Sequence, residues 1–248
     1  MINQALHKQP VAVDRNEHRF VRLKVPITDW SIASKMNSCF VAATEFGDAA
    51  REYPLVFVKA GEGDDGKPEY APIAVMGLVP DSNLYVDGST WRVPYMPAVL
   101  RLYPFCIGRL DAERFAVCVD VGWAGLSGTD GERLFDAEGQ PSKLLADVQQ
   151  QLELFDREIQ RTRLMCRRLV ELGLLQDARY DANMPDGAKL AVDGFATVDD
   201  KKLNELSEAD VVDLHRSGVL GLVHAHYVSL GHMNKLLNWH ADRLAVKS

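Results

Sequence analysis

From Ser142 to Leu172 the chain contains neither Gly nor Pro, and within that run Leu145, Val148, Leu152, Phe155, Ile159, Thr162, Cys166 and Leu169 recur at spacings of three and four. That period belongs to one face of an α-helix, so the run predicts a single long amphipathic helix. Ser142 stands where an N-cap is needed, and Gly173 stands where a left-handed residue closes a helix. An apolar stripe of this length must be covered. Thr162 and Cys166 weaken it as a free-standing zipper, so the helix is expected to lie across a sheet or against later helices. A homodimer seam along the same stripe is the alternative.

Upstream of this run the signals are short and β-like. Strands are expected at 21–25, 55–59, 73–78, 84–86 and 115–121, with a polar hairpin loop from Gly61 to Pro68 and an Asp-Gly turn at Asp87-Gly88. A short helix fits 42–52, stopped ahead of Pro54. Downstream, 189–192 and 195–198 flank Asp193-Gly194 and predict a small hairpin or one bent strand. Asp199 opens a helical turn, and Ser207-Glu208-Ala209-Asp210 is a capping box for a helix that Gly218 ends. A last helix is expected over 219–244. The fold class is therefore α+β: an antiparallel-rich N-terminal sheet with a long central helix and C-terminal helices packed on it. One domain is expected over 1–248, β-rich at 20–140 and mainly helical at 141–248.

The size and balance of the chain support a real core: 248 residues, 47% hydrophobic and 25% charged. A net charge of -7 works against indiscriminate binding to nucleic-acid phosphates or anionic lipid, so no nucleic-acid partner is expected. Cys39, Cys106, Cys118 and Cys166 form no CxxC pair and lie in apolar surroundings, which predicts buried reduced thiols. The N-terminus has no apolar signal region, and no stretch approaches the roughly 18 apolar residues of a membrane helix. A soluble, cytoplasmic protein without membrane insertion is the expectation.

Residues able to carry chemistry are few. His215, His224, His226, His232 and His240 all fall in the last 34 positions, but at about 100° per residue His224 and His226 point about 160° apart on a helix and cannot share an ion. His226 falls on the apolar face with Val219, Val223, Leu230, Met233 and Leu237, so it reads first as a core histidine bonded to a carbonyl or carboxylate. Arg157, Arg161, Arg163, Arg167 and Arg168 alternate with acids such as Glu153, which predicts a self-compensated helix face. Trp91, Tyr95, Tyr103 and Phe105, with Arg92 and Arg101, combine the residue types favoured at recognition surfaces. The candidate binding residues are therefore Trp91, Arg92, Tyr95, Arg101, Tyr103, His215 and His226. Ser127-Gly128-Thr129-Asp130-Gly131 lacks the Lys-Ser/Thr ending of a phosphate loop, and no nucleophile elbow or zinc-protease motif occurs. No cofactor or metal is predicted, and a protein or small-molecule partner is left unspecified.

Taken in order, a set of short motifs resembles the bacterial SapC family. They are Glu45-Phe46 with Tyr53-Pro54-Leu55-Val56-Phe57, Tyr95-Met96-Pro97-Ala98 with Arg101 and Tyr103-Pro104-Phe105, and Leu134-Phe135-Asp136 with Gly139. The later ones are Asp193-Gly194-Phe195 with Val198-Asp199, Lys202-Leu203-Asn204, Leu214-His215-Arg216-Ser217-Gly218, and His224-Ala225-His226 with Ser229-Leu230. The resemblance extends from about 20 to 237. It implies a link to surface-layer systems and an accessory role in uptake or modification systems, where flavin-dependent halogenase-like and cupin-type oxygenase-like proteins are neighbours. The peptide-transport permease label borne by many members does not suit a chain in which no span is expected. No catalytic residue comes with the resemblance. The resulting expectation is a soluble accessory or binding protein acting without catalysis. The alternative is an enzyme or metal-dependent protein whose site joins the C-terminal histidines to sheet residues.

Overall fold

The run without Gly or Pro forms a 29-residue helix, Lys143–Glu171, in a computed structural model that describes residues 2–63, 65–111, 114–184 and 187–245. The Ser142 hydroxyl accepts the Leu145 amide at 3.3 Å, and Leu174 N–H closes the other end on the Leu169 carbonyl at 2.9 Å. All eight residues of the apolar stripe are buried. Thr162, the apparent flaw in it, donates to the Glu158 carbonyl at 2.6 Å and accepts the Ala43 amide at 2.9 Å. A polar side chain is tolerated there because both of its roles are filled.

In chain order the strands are β1 (Pro10–Ala12), β2 (Arg22–Leu23), β3 (Ser38–Phe40), β4 (Leu55–Glu62), β5 (Pro68–Val75), β6 (Val86–Asp87), β7 (Thr90–Trp91), β8 (Phe105–Arg109), β9 (Phe115–Asp120), β10 (Leu126–Ser127), β11 (Glu132–Arg133), β12 (Leu175–Asn183) and β13 (Lys189–Val198). The helices are α1 (Phe46–Ala49), α2 (Ala98–Arg101), α3 (Lys143–Glu171), α4 (Asp200–Asn204), α5 (Glu208–Arg216), α6 (Val219–Ser229) and α7 (His232–Ala245). Every strand pair is antiparallel, and the fold is α+β. Among the described residues no helix is long and apolar enough to cross a membrane.

Cα packing groups the residues into two compact units. The first comprises Met1–Lys35, Val86–Arg92 and Ala98–Arg157; the second comprises Met36–Tyr85, Val93–Pro97 and Glu158–Ser248. Leu145, Val148, Leu152 and Phe155 of α3 thus belong to the first unit, and Ile159, Thr162, Cys166 and Leu169 to the second.

The first unit holds the three-stranded sheet β1-β9-β8, the small sheet β10-β2-β11 and the β6-β7 hairpin. Val86 faces Trp91 and Asp87 faces Thr90 across the predicted Asp-Gly turn. The glycine-rich stretch 127–131 returns the chain so that β10 and β11 both pair with β2. Gly131 there has φ 106°, and a Cβ on it would lie 2.3 Å from the Leu23 carbonyl oxygen. The stretch serves backbone packing rather than phosphate binding.

The second unit is built on the five-stranded sheet β12-β13-β4-β5-β3. Leu55 faces Ala74 and Phe57 faces Pro72 across the β4-β5 hairpin, whose loop was expected at Gly61 to Pro68; Asp64 of that loop lies outside the described residues. Of the two forms expected for 189–198, a small hairpin or one bent strand, the chain takes the second: it is the single strand β13, with Gly194 at φ 80°. Its partner is the upstream strand β12, whose exposed, charge-rich sequence hid it from a reading based on apolar alternation. The expected 42–52 helix tightens into a 3-10 turn at Ala43–Glu45 followed by α1, because the buried Glu45 carboxylate reaches back to the Ala42 amide at 3.0 Å. Two caps form as predicted: Asp199 accepts the Lys201 and Lys202 amides, and Ser207 accepts the Asp210 amide. The last helix, expected over 219–244, divides into α6 and α7 at Leu230-Gly231, where Leu230 N–H is shared between the His226 and Tyr227 carbonyls and Gly231 N–H bonds to the third preceding residue, Val228.

Replacing Gly131 by Ala combines a left-handed backbone with a backbone clash, so we expect a loss of at least about 2 kcal/mol in urea unfolding. Gly128, with nothing within 4 Å of its added Cβ, serves as the control, and Gly128→Ala should stay within about 0.5 kcal/mol of the parent.

Candidate functional site

His226 occupies a gap in the sheet of the second unit. Strands β13 and β4 register at one pair, Ala196 with Phe57, and continuing that register would set Val198 against Leu55. A direct strand-to-strand bond is not what joins those two residues. The His226 imidazole donates from Nδ1 to the Leu55 carbonyl at 2.7 Å and accepts the Val198 amide on Nε2 at 3.1 Å. On the same side of β4, Ser229 Oγ accepts the Leu55 amide at 3.0 Å and donates to the His226 carbonyl at 2.6 Å. Side chains one helical turn apart on α6 therefore satisfy both backbone groups of Leu55. The ring is fully buried, packs 5.2 Å from the Phe57 ring, and has both nitrogens committed to backbone. Burial depresses its pKa to about 4, a shift that the Leu55 bond only partly opposes.

His215 lies exposed on α5, and among the described residues no hydrogen bond, ion pair or ring contact joins it to His226. His224 is likewise exposed, on the opposite face of α6 from His226. Nor does any group of three or more His, Cys, Asp or Glu among the described residues stand where it could hold a metal ion.

The aromatic and arginine candidates divide between the two units. Trp91 is half-buried on β7 with its ring centroid 6.1 Å from that of Trp30 in an edge-on arrangement, and Arg92 pairs with Asp87 at 3.1 Å. Arg101 ends α2 with its side chain exposed. Tyr95 belongs to the second unit, where its hydroxyl donates to Glu45 at 2.7 Å and its carbonyl accepts the Tyr53 hydroxyl at 2.5 Å. Tyr103 is buried in the first unit and donates to Asp120 at 2.9 Å. Asp120 has no exposed surface, yet it also accepts the amides of Gln9 at 2.7 Å, Lys8 at 3.0 Å and Gly122 at 3.1 Å. Burial opposes its ionisation, but these donors outweigh burial and hold the carboxyl below its ordinary pKa. The same pairing, after burial itself, drives the Tyr103 hydroxyl upward. Asp120 escaped the sequence reading although a signal existed: it is the one acid in the otherwise apolar run from Phe115 to Val121.

Among the described residues, two concavities offer room for a ligand. A cavity of about 250 Å³ in the second unit lies between the end of the β4-β5 hairpin and α3, lined by Tyr70, Cys166 and Val170. Its two arginines are already spoken for, Arg163 by Glu69 at 3.3 Å and Arg167 by Asp65 at 3.5 Å. A groove of about 760 Å³ in the first unit is within the size range of small-molecule sites. Val13, Phe115, Val117, Phe135 and Leu145 give it an apolar floor, and Arg15, Arg114 and Glu153 provide charge.

Arg15 is set into this groove by the Asp136–Gln140 turn. The Asp136 carboxylate accepts the Gln140 amide at 2.7 Å, and Gly139 N–H reaches the Asp136 carbonyl at 3.2 Å. Gly139 adopts φ 79°, and a Cβ on it would lie 3.1 Å from Arg15 Nε, so the missing side chain lets the guanidinium lie against the turn. Arg114 is neutralised by Asp111 at 2.6 Å, whereas among the described residues Arg15 has no hydrogen bond or ion pair through its guanidinium. Sequence offered no signal for Arg15, which lies in a polar run; Gly139 was visible only as part of a motif. The predicted pairing of Glu153 with Arg157 is absent, but the helix face is self-compensated elsewhere, by Arg161 with Glu158 at 2.8 Å and Arg167 with Glu171 at 3.3 Å, while Arg168 also reaches Asp210 at 2.9 Å and Asp213 at 3.0 Å.

The family model described as SapC matches residues 13–236. No curated protein and no solved structure matches the chain.

Protonating His226 would break its bond from Val198, so stability should depend on pH. The unfolded histidine titrates near 6.5 and the folded one near 4, so its contribution is complete above pH 6.5 and lost as pH falls from there to about 4. Urea midpoints should drop across that window by the equivalent of about 3 kcal/mol, and His226→Gln should flatten the dependence while costing about 2–4 kcal/mol at neutral pH.

Proposed function

Because the chain belongs to the SapC family, whose motifs bring no catalytic residue with them, we propose that it is a binding protein that holds a partly apolar anion in the groove of its first unit. One observation carries this reading: Arg15 lies along Gly139 beside an apolar floor, and among the described residues its guanidinium makes no ion pair or hydrogen bond, the groove's one acid, Glu153, included. A carboxylate or sulfonate with a hydrophobic body would supply that charge and cover the floor. The family resemblance supports reading this binding protein as an accessory of surface-layer, uptake or modification systems. Four unlinked thiols favour a reducing compartment such as the cytoplasm. The competing reading, catalysis by C-terminal histidines, draws no support from His226, whose two nitrogens are both occupied by backbone partners.

An anionic naphthalene dye, 1-anilinonaphthalene-8-sulfonate, tests the groove directly. It should bind the native chain saturably at one site. Arg15→Ala should weaken that binding roughly tenfold or more, and Glu153→Gln should tighten it by removing like charge. Binding that is absent, or indifferent to Arg15, would rule the groove out as an anion site.

A further inference from the structure

Cys106 and Cys118 are directly paired across β8 and β9. Val13 N–H bonds to the Val117 carbonyl and Val121 N–H to the Gln9 carbonyl, while Asp120 N–H bonds to the Pro104 carbonyl. Odd residues of β9 thus turn their backbone groups to β1 and even residues to β8. Cys106 and Cys118 therefore form a hydrogen-bonded pair, whose Cα atoms in such a ladder stand about 5.5 Å apart. That separation is inside the range a disulfide spans, and paired side chains project from the same face of the sheet.

The surroundings favour a reaction between the two sulfurs. Cys118 Sγ lies 2.5 Å from where a Cβ of the half-exposed Gly108 would be, so the sulfur occupies space that any other residue at 108 would fill. Cys106 is one of the residues bordering a small void of about 10 Å³. Cys118 Sγ donates to the Ala116 carbonyl at 3.9 Å, and the neighbouring Cys106 thiol draws the Cys118 pKa down while that of Cys106 is pushed up by its neighbour and by burial. Cys166, by contrast, is pushed up to about 12 by burial alone, and burial also raises Cys39. Both of those belong to the second unit, away from the pair in sequence and sheet.

We infer that Cys106 and Cys118 are an oxidisable thiol pair that closes to an intrachain disulfide when the folded protein meets a peroxide. The Cys118 thiolate attacks one peroxide oxygen and breaks the O–O bond, giving a sulfenic acid and, after protonation of the leaving hydroxide, water. The Cys106 sulfur then displaces the sulfenic oxygen, which leaves as a second water. The two thiols are oxidised by two electrons in total, and one peroxide is reduced to two waters. A dithiol reductant reverses the change.

The test uses the full chain at neutral pH under native conditions, with hydrogen peroxide as oxidant and circular dichroism to confirm that the fold persists. The expected result is the loss of two titratable thiols and of about 2 Da, with proteolytic fragments carrying Cys106 and Cys118 linked and released by dithiothreitol. Cys118→Ser should slow thiol loss at least about tenfold. Should that variant fold poorly, the double variant Cys39→Ser with Cys166→Ser retains only the pair and must still lose both thiols. Linkage through Cys39 or Cys166, closure only in denaturant, or a sulfinic acid on Cys118 beside an unmodified Cys106 would each overturn the inference.

Discussion

The imidazole of His226 is the contact on which the second unit most depends. Strands β13 and β4 diverge after a single registered pair, and a diverging pair leaves buried amides and carbonyls without partners. Each such group costs about 1–3 kcal/mol if left bare. His226 and Ser229 fill that gap from α6, supplying one donor and two acceptors to the backbone groups of Leu55 and Val198. The helix is thereby fixed to the sheet by geometry as well as by apolar packing. Only a neutral imidazole can donate from one nitrogen and accept on the other, which is why burial and a depressed pKa belong to the same arrangement.

The first unit solves a similar problem with a carboxylate. Asp120 ends β9 without exposed surface, and three amides and the Tyr103 hydroxyl converge on it. A buried charge is tolerable when every lone pair is used in this way. The arrangement also ties the N-terminal segment, through Lys8 and Gln9, to the end of the sheet. Tyr103, which a sequence reading places on a recognition surface, is consumed by this structural task. Tyr95 is consumed in a comparable way by Glu45 and Tyr53.

What is left for recognition is a cation that folding has not neutralised. Arg163, Arg167 and Arg168 of α3 find acids on the β4-β5 hairpin and on α5, and Arg161 pairs with Glu158 on the helix itself, so the charge of these four is spent internally. Arg15 is held instead by the shape of a glycine turn, with its guanidinium at the edge of an apolar floor. The turn exists because Asp136 caps it, which gives a physical reason for Asp136 and Gly139 to occur together. It also explains how a motif that looks purely architectural in sequence can end up positioning a side chain 124 residues away from Gly139.

Sequence alone determined the features that arise from neighbouring residues. The long α3 helix with its caps, the Asp-Gly hairpin, the capping of α4 and α5, and the inward face of His226 all follow from local periodicity and turn chemistry, and each is present. The motifs also carried the family. Tertiary structure decided what depends on partners distant along the chain. β12 pairs despite a sequence with little apolar alternation, because β13 supplies its hydrogen bonds. His226 takes both nitrogens to backbone because β13 and β4 separate beside it. Asp120 is ionised in the core because amides more than a hundred residues earlier reach it. Arg15 and Gly139, and Cys106 and Cys118, acquire chemical meaning only when the chain brings them side by side, since a local pattern records which residues adjoin in sequence and not which will meet in space.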